Sequence, residues 1–296
     1  MKVAVVGSGI MGLGITQAFA QAEGYEVTLC VVSGKGFDKK QALFEKPLKR
    51  QVEKGKITQE RFDEIVSKVT ITDINGCRDA DLIIESAIED INAKMNLLKQ
   101  IEGLCKEDAL LASNTSSLSI TEISAALTRP IIGMHFFNPA AVMKLVEVIP
   151  GMTTTPEMVE QVKDISCDID KVPVEVIEGP GFVVNRLLIP MINEAIGIFE
   201  EGLASVEGID TAMKLGANHR MGPLALGDLI GLDVCLAIME VMYRETLDAK
   251  YRPARLLKKM VRAKHLGQKS GKGFYEYDQL GRIIPGTAID LRVTGE

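Results

Sequence analysis

Three histidines, His135, His219 and His265, stand among the 296 residues, so proton chemistry near neutral pH has few candidates. His135 lies in GMHFFNP at the end of an apolar run, 130–137, that reads as a strand. Alone, a histidine there is more often a satisfied core residue than a catalyst. The run KLVEVI at 144–149 changes its meaning. Glu147 is flanked by Val146 and Val148, where a charge is costly unless paired. Two strands joined through Asn138-Pro139 would set His135 and Glu147 side by side. A carboxylate holding one imidazole nitrogen leaves the other as an acceptor, which is the arrangement of a general base near pH 7. SNTSS at 113–117, with Asn114 and Ser116, follows the strand-like ALLAS, so its hydroxyls fall at a strand's carboxyl end. Doubly wound sheets bind ligands there, although Ser119 and Ser117 also suit a helix N-cap. Asn185, in GFVVNRLLIP, is an amide at the start of an otherwise apolar helix and suits a helix-terminus hydrogen bond equally well. His219, in ANHRMGP, reads as a helix-end residue, and His265, in AKHLGQK, as a surface one.

A second constellation opens the chain. VAVVGSGIMG carries Gly7, Gly9 and Gly12, with Ile10 and Met11 between the last two, as G-x-G-x-x-G between a strand and a helix. Gly7 permits the tight turn, Gly9 lets backbone approach a pyrophosphate, and Gly12 lets helix and strand pack closely. The helix N-terminus offers N–H groups and positive potential to the anion. The fingerprint lacks one part. The acidic residue that usually ends the second strand and accepts from the adenosine ribose is replaced by Val31, followed by Val32, Ser33, Gly34 and Lys35. Losing a charged acceptor costs roughly 1.5–3 kcal/mol of NAD affinity. It also removes a carboxylate that would repel a 2′-phosphate, which Ser33 and Lys35 could contact. The alternative, with the ribose held by backbone and water, stands equally, so both NAD(H) and NADP(H) remain open.

The elements that must position these residues follow from apolar patterning. Strands are expected at 1–6, 25–32, 81–86, 109–113, 130–137, 144–149 and 172–177. Helices fall between them: one ends near Glu23, polar amphipathic segments cover 38–54 and 58–68, and others cover 91–104, 120–127 and 156–169. Short apolar strands alternating with helices give an α/β, Rossmann-like, doubly wound and mostly parallel sheet. At Gly179-Pro180-Gly181 the pattern changes to apolar-periodic helices at 182–202, 206–216, 224–247 and 253–263. We therefore expect a dinucleotide-binding domain at 1–179 and an all-helical substrate and dimerisation domain at 180–296. The last 20 residues or so read as a poorly fixed tail.

The composition, 46% apolar and 25% charged with net charge −6, shows no basic field for nucleic acid or a membrane surface. No apolar run approaches the roughly 20 residues of a spanning helix, and no signal peptide is expected before the first strand. The five cysteines (Cys30, Cys77, Cys105, Cys167, Cys235) show neither C-x-x-C pairs nor metal-ligand spacing, which points to a reducing cytoplasm and no metal site.

Taken in order, GSGIMG, IIESAIED, SNTSSL, HFFNPA with VMKLVEVI, PGFVVNR and MGPLALGD resemble the 3-hydroxyacyl-CoA dehydrogenase family from residue 1 to about Tyr277. The resemblance implies hydride transfer between a nicotinamide cofactor and a 3-hydroxyacyl-CoA, most like short bacterial enzymes acting on 3-hydroxybutyryl-CoA and acetoacetyl-CoA. It implies that His135 is the general base, that Glu147 orients it, and that Ser116 and Asn185 bind the reacting oxygen. It further implies cofactor contacts from Glu89, Lys94, Asn138 and Lys269, and CoA phosphate contacts around Lys54 and Lys56. A homodimer is expected from the family and from the apolar second-domain helices. The resemblance implies NAD(H) as the cofactor, but the family usually has aspartate where Val31 stands, so NADP(H) is not excluded; the departure bears on the cofactor rather than the reaction. Two rivals are a lysine-dependent hydroxyacid dehydrogenase and a non-catalytic protein of this fold; the first leaves the His135–Glu147 pair without purpose.

Overall fold

A computed structural model describes residues 1–290 and divides the chain into two compact units, Met1–Gly179 and Pro180–Glu296. In the first unit, eight strands form one sheet: β1 (Lys2–Val6), β2 (Glu26–Cys30), β3 (Val69–Thr72), β4 (Leu82–Glu85), β5 (Leu110–Ser113), β6 (Ile132–Phe136), β7 (Leu145–Pro150) and β8 (Val172–Glu175). Their order across the sheet is β3-β2-β1-β4-β5-β6-β7-β8. Pairing is parallel throughout except between β6 and β7, so β7 and β8 run against the rest. The central strands β1 and β4 are apolar runs with almost every residue buried, as strands covered on both faces must be. Six helices accompany the sheet: α1 (Ile10–Gln21), α2 (Phe37–Glu53), α3 (Gln59–Ser67), α4 (Ile91–Glu102), α5 (Ile120–Ser124) and α6 (Pro156–Asp168). Their buried faces carry Ile15, Phe19, Phe44, Leu48, Ile65 and Val162 into one core with the strands.

The chain leaves β1 toward β2 and β3 and then returns to β4 on β1's other side. That reversal creates a switch point at the carboxyl ends of β1 and β4, the place where doubly wound sheets hold ligands. β3 was not among the expected strands. VTIT is half-exposed at the sheet edge and follows α3 directly, so it shows neither a buried run nor a turn signal.

The second unit is built from α7 (Val184–Glu200), α8 (Val206–Gly216), α9 (Pro223–Ile230), α10 (Leu232–Thr246) and α11 (Arg255–Arg262) around Ile192, Ile196, Leu224, Leu232, Met239 and Phe274. The expectation of one helix over 224–247 is corrected: Gly231, at φ +103°, separates α9 from α10. The expectation of a loose tail is also corrected for the described residues. Asp228, fully buried near the end of α9, accepts from the Phe274 and Tyr275 N–H groups, each at 3.0 Å, and from the Tyr277 hydroxyl at 2.9 Å. Beyond it, Ile284 N–H donates to Glu276 and Ile289 N–H to Phe274, and Ala288 and Ile289 pack on the helical core. Residues 291–296 of the expected tail lie outside the described residues. Close approach to Asp228 explains two glycines of the segment LGQKSGKGFY. A Cβ on Gly267 would stand 2.2 Å from the Asp228 carbonyl oxygen, and one on Gly273 would stand 2.0 Å from its Oδ1. Asp210 does similar work for MGPLALGD, taking the N–H groups of Leu224 and Ala225 at the start of α9 and the Tyr275 hydroxyl.

Burial pushes the Asp228 carboxyl up from 3.8 to about 6, against the lowering effect of the Phe274 and Tyr275 N–H groups. As pH rises through this window the unfolded chain gives up its proton first, so the group's contribution to stability falls between pH 3.8 and about 6 and is level outside it. In urea melts, the stability advantage over an Asp228→Asn variant should therefore shrink from pH 4 to pH 7. An advantage that grows over that range would contradict this placement. Asp228→Ala, which strands two buried N–H groups, should cost roughly 2–6 kcal/mol.

Candidate active site

The glycine loop lies at the switch point. Gly7 has φ +120°, donates its N–H to the Cys30 carbonyl, and leaves no room for a side chain, since a Cβ would stand 2.3 Å from the Ser86 carbonyl oxygen. A Cβ on Gly12 would stand 1.7 Å from the Gly7 carbonyl oxygen, so α1 can pack on β1 only with glycine there. Gly9 differs: a Cβ would meet nothing within 4 Å. It caps α1 without a side-chain bond, no acidic residue stands in the helix's first turn, and Ile10 is exposed beside half-buried Met11. An open space beside Gly9, facing the uncapped N–H groups of a helix, fits a dinucleotide's pyrophosphate. At the end of β2, Val31 is buried and donates its N–H to Thr72, while Ser33 is exposed.

Across the switch point, the last residue of β4 is Glu85, a carboxylate with no exposed surface that residue patterning alone did not single out. It accepts from the Lys94 ammonium at 2.8 and 3.0 Å, from Ser113 Oγ at 2.6 Å and from the Ala87 N–H at 2.6 Å. Only the full-strength donor set around it makes such burial tolerable. Lys94, on α4, is also buried and reaches Glu89 at 3.3 Å. Glu89 in turn accepts from Thr115 Oγ1 at 2.7 Å, from the Ser116 N–H at 2.7 Å and from Ser116 Oγ at 3.0 Å. Burial would push the Glu89 carboxyl up, but the Lys94 ammonium and the Thr115 and Ser116 donors outweigh it and hold the group below its usual value. A connected charge chain therefore runs from the sheet's interior to the SNTSS loop. Asn114 has a positional task here, its Oδ1 accepting the Phe136 N–H at 2.8 Å beside His135. The sequence cue to Glu85 was present in LIIES, a charge ending an apolar strand like the one in KLVEVI.

His135 and Glu147 face each other directly across the β6–β7 pair. Residues opposite one another in an antiparallel ladder project to the same face, and Nδ1 stands 2.7 Å from Glu147 Oε2. Both are buried, at 5% and 1% exposure, with the Phe137 ring 4.5 Å from the imidazole. With Nδ1–H donated to the carboxylate, the neutral ring carries its lone pair on Nε2. Asn138 is exposed at the exit of β6, and Lys54 and Lys56 are exposed at the end of α2. In the helical unit, Asn185 sits in the first turn of α7, and Lys269 pairs with Asp233 at 2.5 Å. His219 and His265 each follow a helix end, after α8 and α11. Among the described residues no cluster of histidine, cysteine, aspartate and glutamate could hold a metal ion.

Comparison with known proteins places the chain in a family. Residues 2–179 match the family model for the 3-hydroxyacyl-CoA dehydrogenase NAD binding domain, and residues 181–277 match the C-terminal domain of the same family. The chain belongs to the 3-hydroxyacyl-CoA dehydrogenase family. A family relative named 3-hydroxybutyryl-CoA dehydrogenase, from Clostridioides difficile, is 56% identical over 94% of this chain and 100% of its own length. Another of that name, from Bradyrhizobium diazoefficiens, is 43% identical over 93% of this chain and 95% of its own. The crystal structure of (S)-3-hydroxybutyryl-CoA dehydrogenase PaaH1 from Ralstonia eutropha superposes with a TM-score of 0.88 at 46% identity, covering 94% of this chain and 99% of that one. Like these relatives, the chain is an oxidoreductase with an NAD-binding domain.

The glycine geometry separates two variants. Gly9→Ala should leave the melting temperature of the ligand-free protein within about 2 °C and weaken dinucleotide binding at least about tenfold, read by calorimetric titration. Gly12→Ala should lower the melting temperature itself. Equal behaviour of the two would contradict the assignment of the space beside Gly9.

Proposed function

We propose that this enzyme interconverts (S)-3-hydroxybutyryl-CoA and acetoacetyl-CoA, with His135 as general acid and base. The observation that carries this reading is the buried pair at 2.7 Å between His135 Nδ1 and Glu147 Oε2. A bound nicotinamide cofactor would supply the hydride chemistry at the substrate's C3. In oxidation, His135 Nε2 takes the C3 hydroxyl proton, and the Glu147 carboxylate stabilises the imidazolium that forms. In reduction the same nitrogen returns the proton to the developing alkoxide. The family's motifs assign Ser116 Oγ and the Asn185 amide as hydrogen-bond donors to that oxygen as its charge grows, which for Ser116 requires its one hydroxyl proton to turn from Glu89. Glu85, Lys94 and Glu89 hold the Ser116 loop, and the last two are also assigned to the cofactor, as are Asn138 and Lys269. Lys54 and Lys56 take the CoA phosphates, which an acidic protein must meet with local cations.

Two copies pairing through the helical unit fit its exposed Leu187, Leu203, Leu215 and Leu247. A reducing cytoplasm fits the cysteines, which are all free thiols. Among the described residues, no helix is long and apolar enough to cross a membrane.

Following the loss of absorbance at 340 nm with acetoacetyl-CoA, His135→Gln should lower kcat by about 10²–10⁴-fold with dinucleotide affinity little changed. Near-normal turnover would remove the assignment. Replacing Lys54 and Lys56 together by Ala should raise KM for the CoA ester more than for the nicotinamide cofactor. Equal effects on both would count against their phosphate role.

A further inference from the structure

We propose that the dinucleotide unit carries a subsite for a 2′-phosphorylated adenosine, so that this chain selects NADP(H) over NAD(H). The inference rests on the dinucleotide reading above and deepens it. In doubly wound sites the residue ending the second strand makes this choice: a carboxylate there holds the ribose 2′-hydroxyl and repels a phosphate. Val31 does neither. It is 2% exposed, with its N–H committed to the Thr72 carbonyl. The connection from Val31 to Gly36 contains no acid at all, and Ser33 and Lys35 are its polar side chains. Gly34 at φ +62° and Gly36 at φ +75° turn the chain from β2 into α2, which presents Ser33 and Lys35 to solvent.

The neighbouring elements reinforce this polarity. On α2, Asp38 is outnumbered by Lys39 and Lys40. Asp73, which follows β3 on the other side, has its carboxylate engaged by the Asn75 N–H at 2.9 Å and Nδ2 at 3.0 Å. Lys40 gives the independent observation. Its ammonium donates to the Ser8 carbonyl at 2.9 Å, inside the glycine loop itself. A cation is thereby held between the loop that receives the pyrophosphate and the helix that follows the ribose-binding strand. A 2′-phosphate dianion would find the Ser33 hydroxyl, the Lys35 ammonium and this Lys40 charge, whereas an unphosphorylated ribose would find no carboxylate acceptor.

The test is calorimetric titration of the whole protein with adenosine 2′,5′-bisphosphate, 5′-AMP, NADPH and NADH at two salt concentrations. The bisphosphate should bind at least about tenfold more tightly than AMP, and NADPH than NADH. Both advantages should shrink as salt rises. Ser33→Ala with Lys35→Ala, both exposed positions, should cut the advantage several-fold while leaving AMP binding unchanged, the remainder resting on Lys40, and Val31→Asp should reverse it. Equal or weaker binding of the bisphosphate, or an advantage undiminished in the double variant, would overturn the subsite. The fragments carry neither nicotinamide nor CoA, so the two readings fail separately. A protein that reduces acetoacetyl-CoA with NADH and prefers AMP keeps the proposed reaction and loses the subsite. One that prefers the bisphosphate but turns over no acetoacetyl-CoA keeps the subsite and loses the reaction.

Discussion

A carboxylate at the centre of a strand, with 1% of its surface exposed, must be met by a donor or protonated. Glu147 is met by His135, and much of the first unit's architecture serves that meeting. The sheet is parallel from β3 through β6, and an all-parallel continuation would have needed a crossover before the next strand. Instead the chain turns back through Asn138-Pro139, and β7 lies antiparallel against β6. That single reversal puts the two side chains opposite each other on one face. A one-residue slip in register would send Glu147 to the other face, away from His135. The register is held on the far side as well, where Asn114 from the end of β5 accepts the Phe136 N–H.

The same principle recurs at the other buried acids. Glu85 is satisfied by Lys94, Ser113 and Ala87, and Asp228 by Phe274, Tyr275 and Tyr277. Each ties together segments distant in sequence. Glu85 joins β4 to α4 and β5 beneath the glycine loop, and Asp228 fastens the C-terminal segment to α9. Removing one partner from such a cluster leaves an uncompensated charge or N–H, which is why these positions are sensitive out of proportion to their size.

Much of this was legible in the residues. The strands that are buried on both faces announce themselves as continuous apolar runs, and β1 with its glycine loop is the clearest of them. Glu147 stands out because a charge between two valines is anomalous, and that anomaly gives His135, one of only three histidines, its meaning. Glu85 carried a similar signal and was missed, because a charge at a strand's end also reads as a loop residue. β3 was missed because a half-exposed edge strand of four residues has no strong periodicity. The α9–α10 break was hidden because Gly231 within an apolar pattern is tolerated in a helix, and only its positive φ distinguishes a boundary. The C-terminal segment read as loose because its anchor, Asp228, lies 46 residues before Phe274 and no local pattern links them. Long-range satisfaction of a buried group is the information that one-dimensional patterning lacks.

The 2.7 Å contact from Glu147 should fix His135 in the tautomer whose Nε2 accepts a proton. With three histidines in the chain, the ring nitrogens can be resolved by ¹⁵N magnetic resonance with selectively labelled histidine. The uncharged form of the buried ring in ligand-free protein should carry its proton on Nδ1 and none on Nε2, with that preference lost in Glu147→Ala. A ring protonated on Nε2 alone, or one whose tautomer is unchanged by removing Glu147, would contradict it.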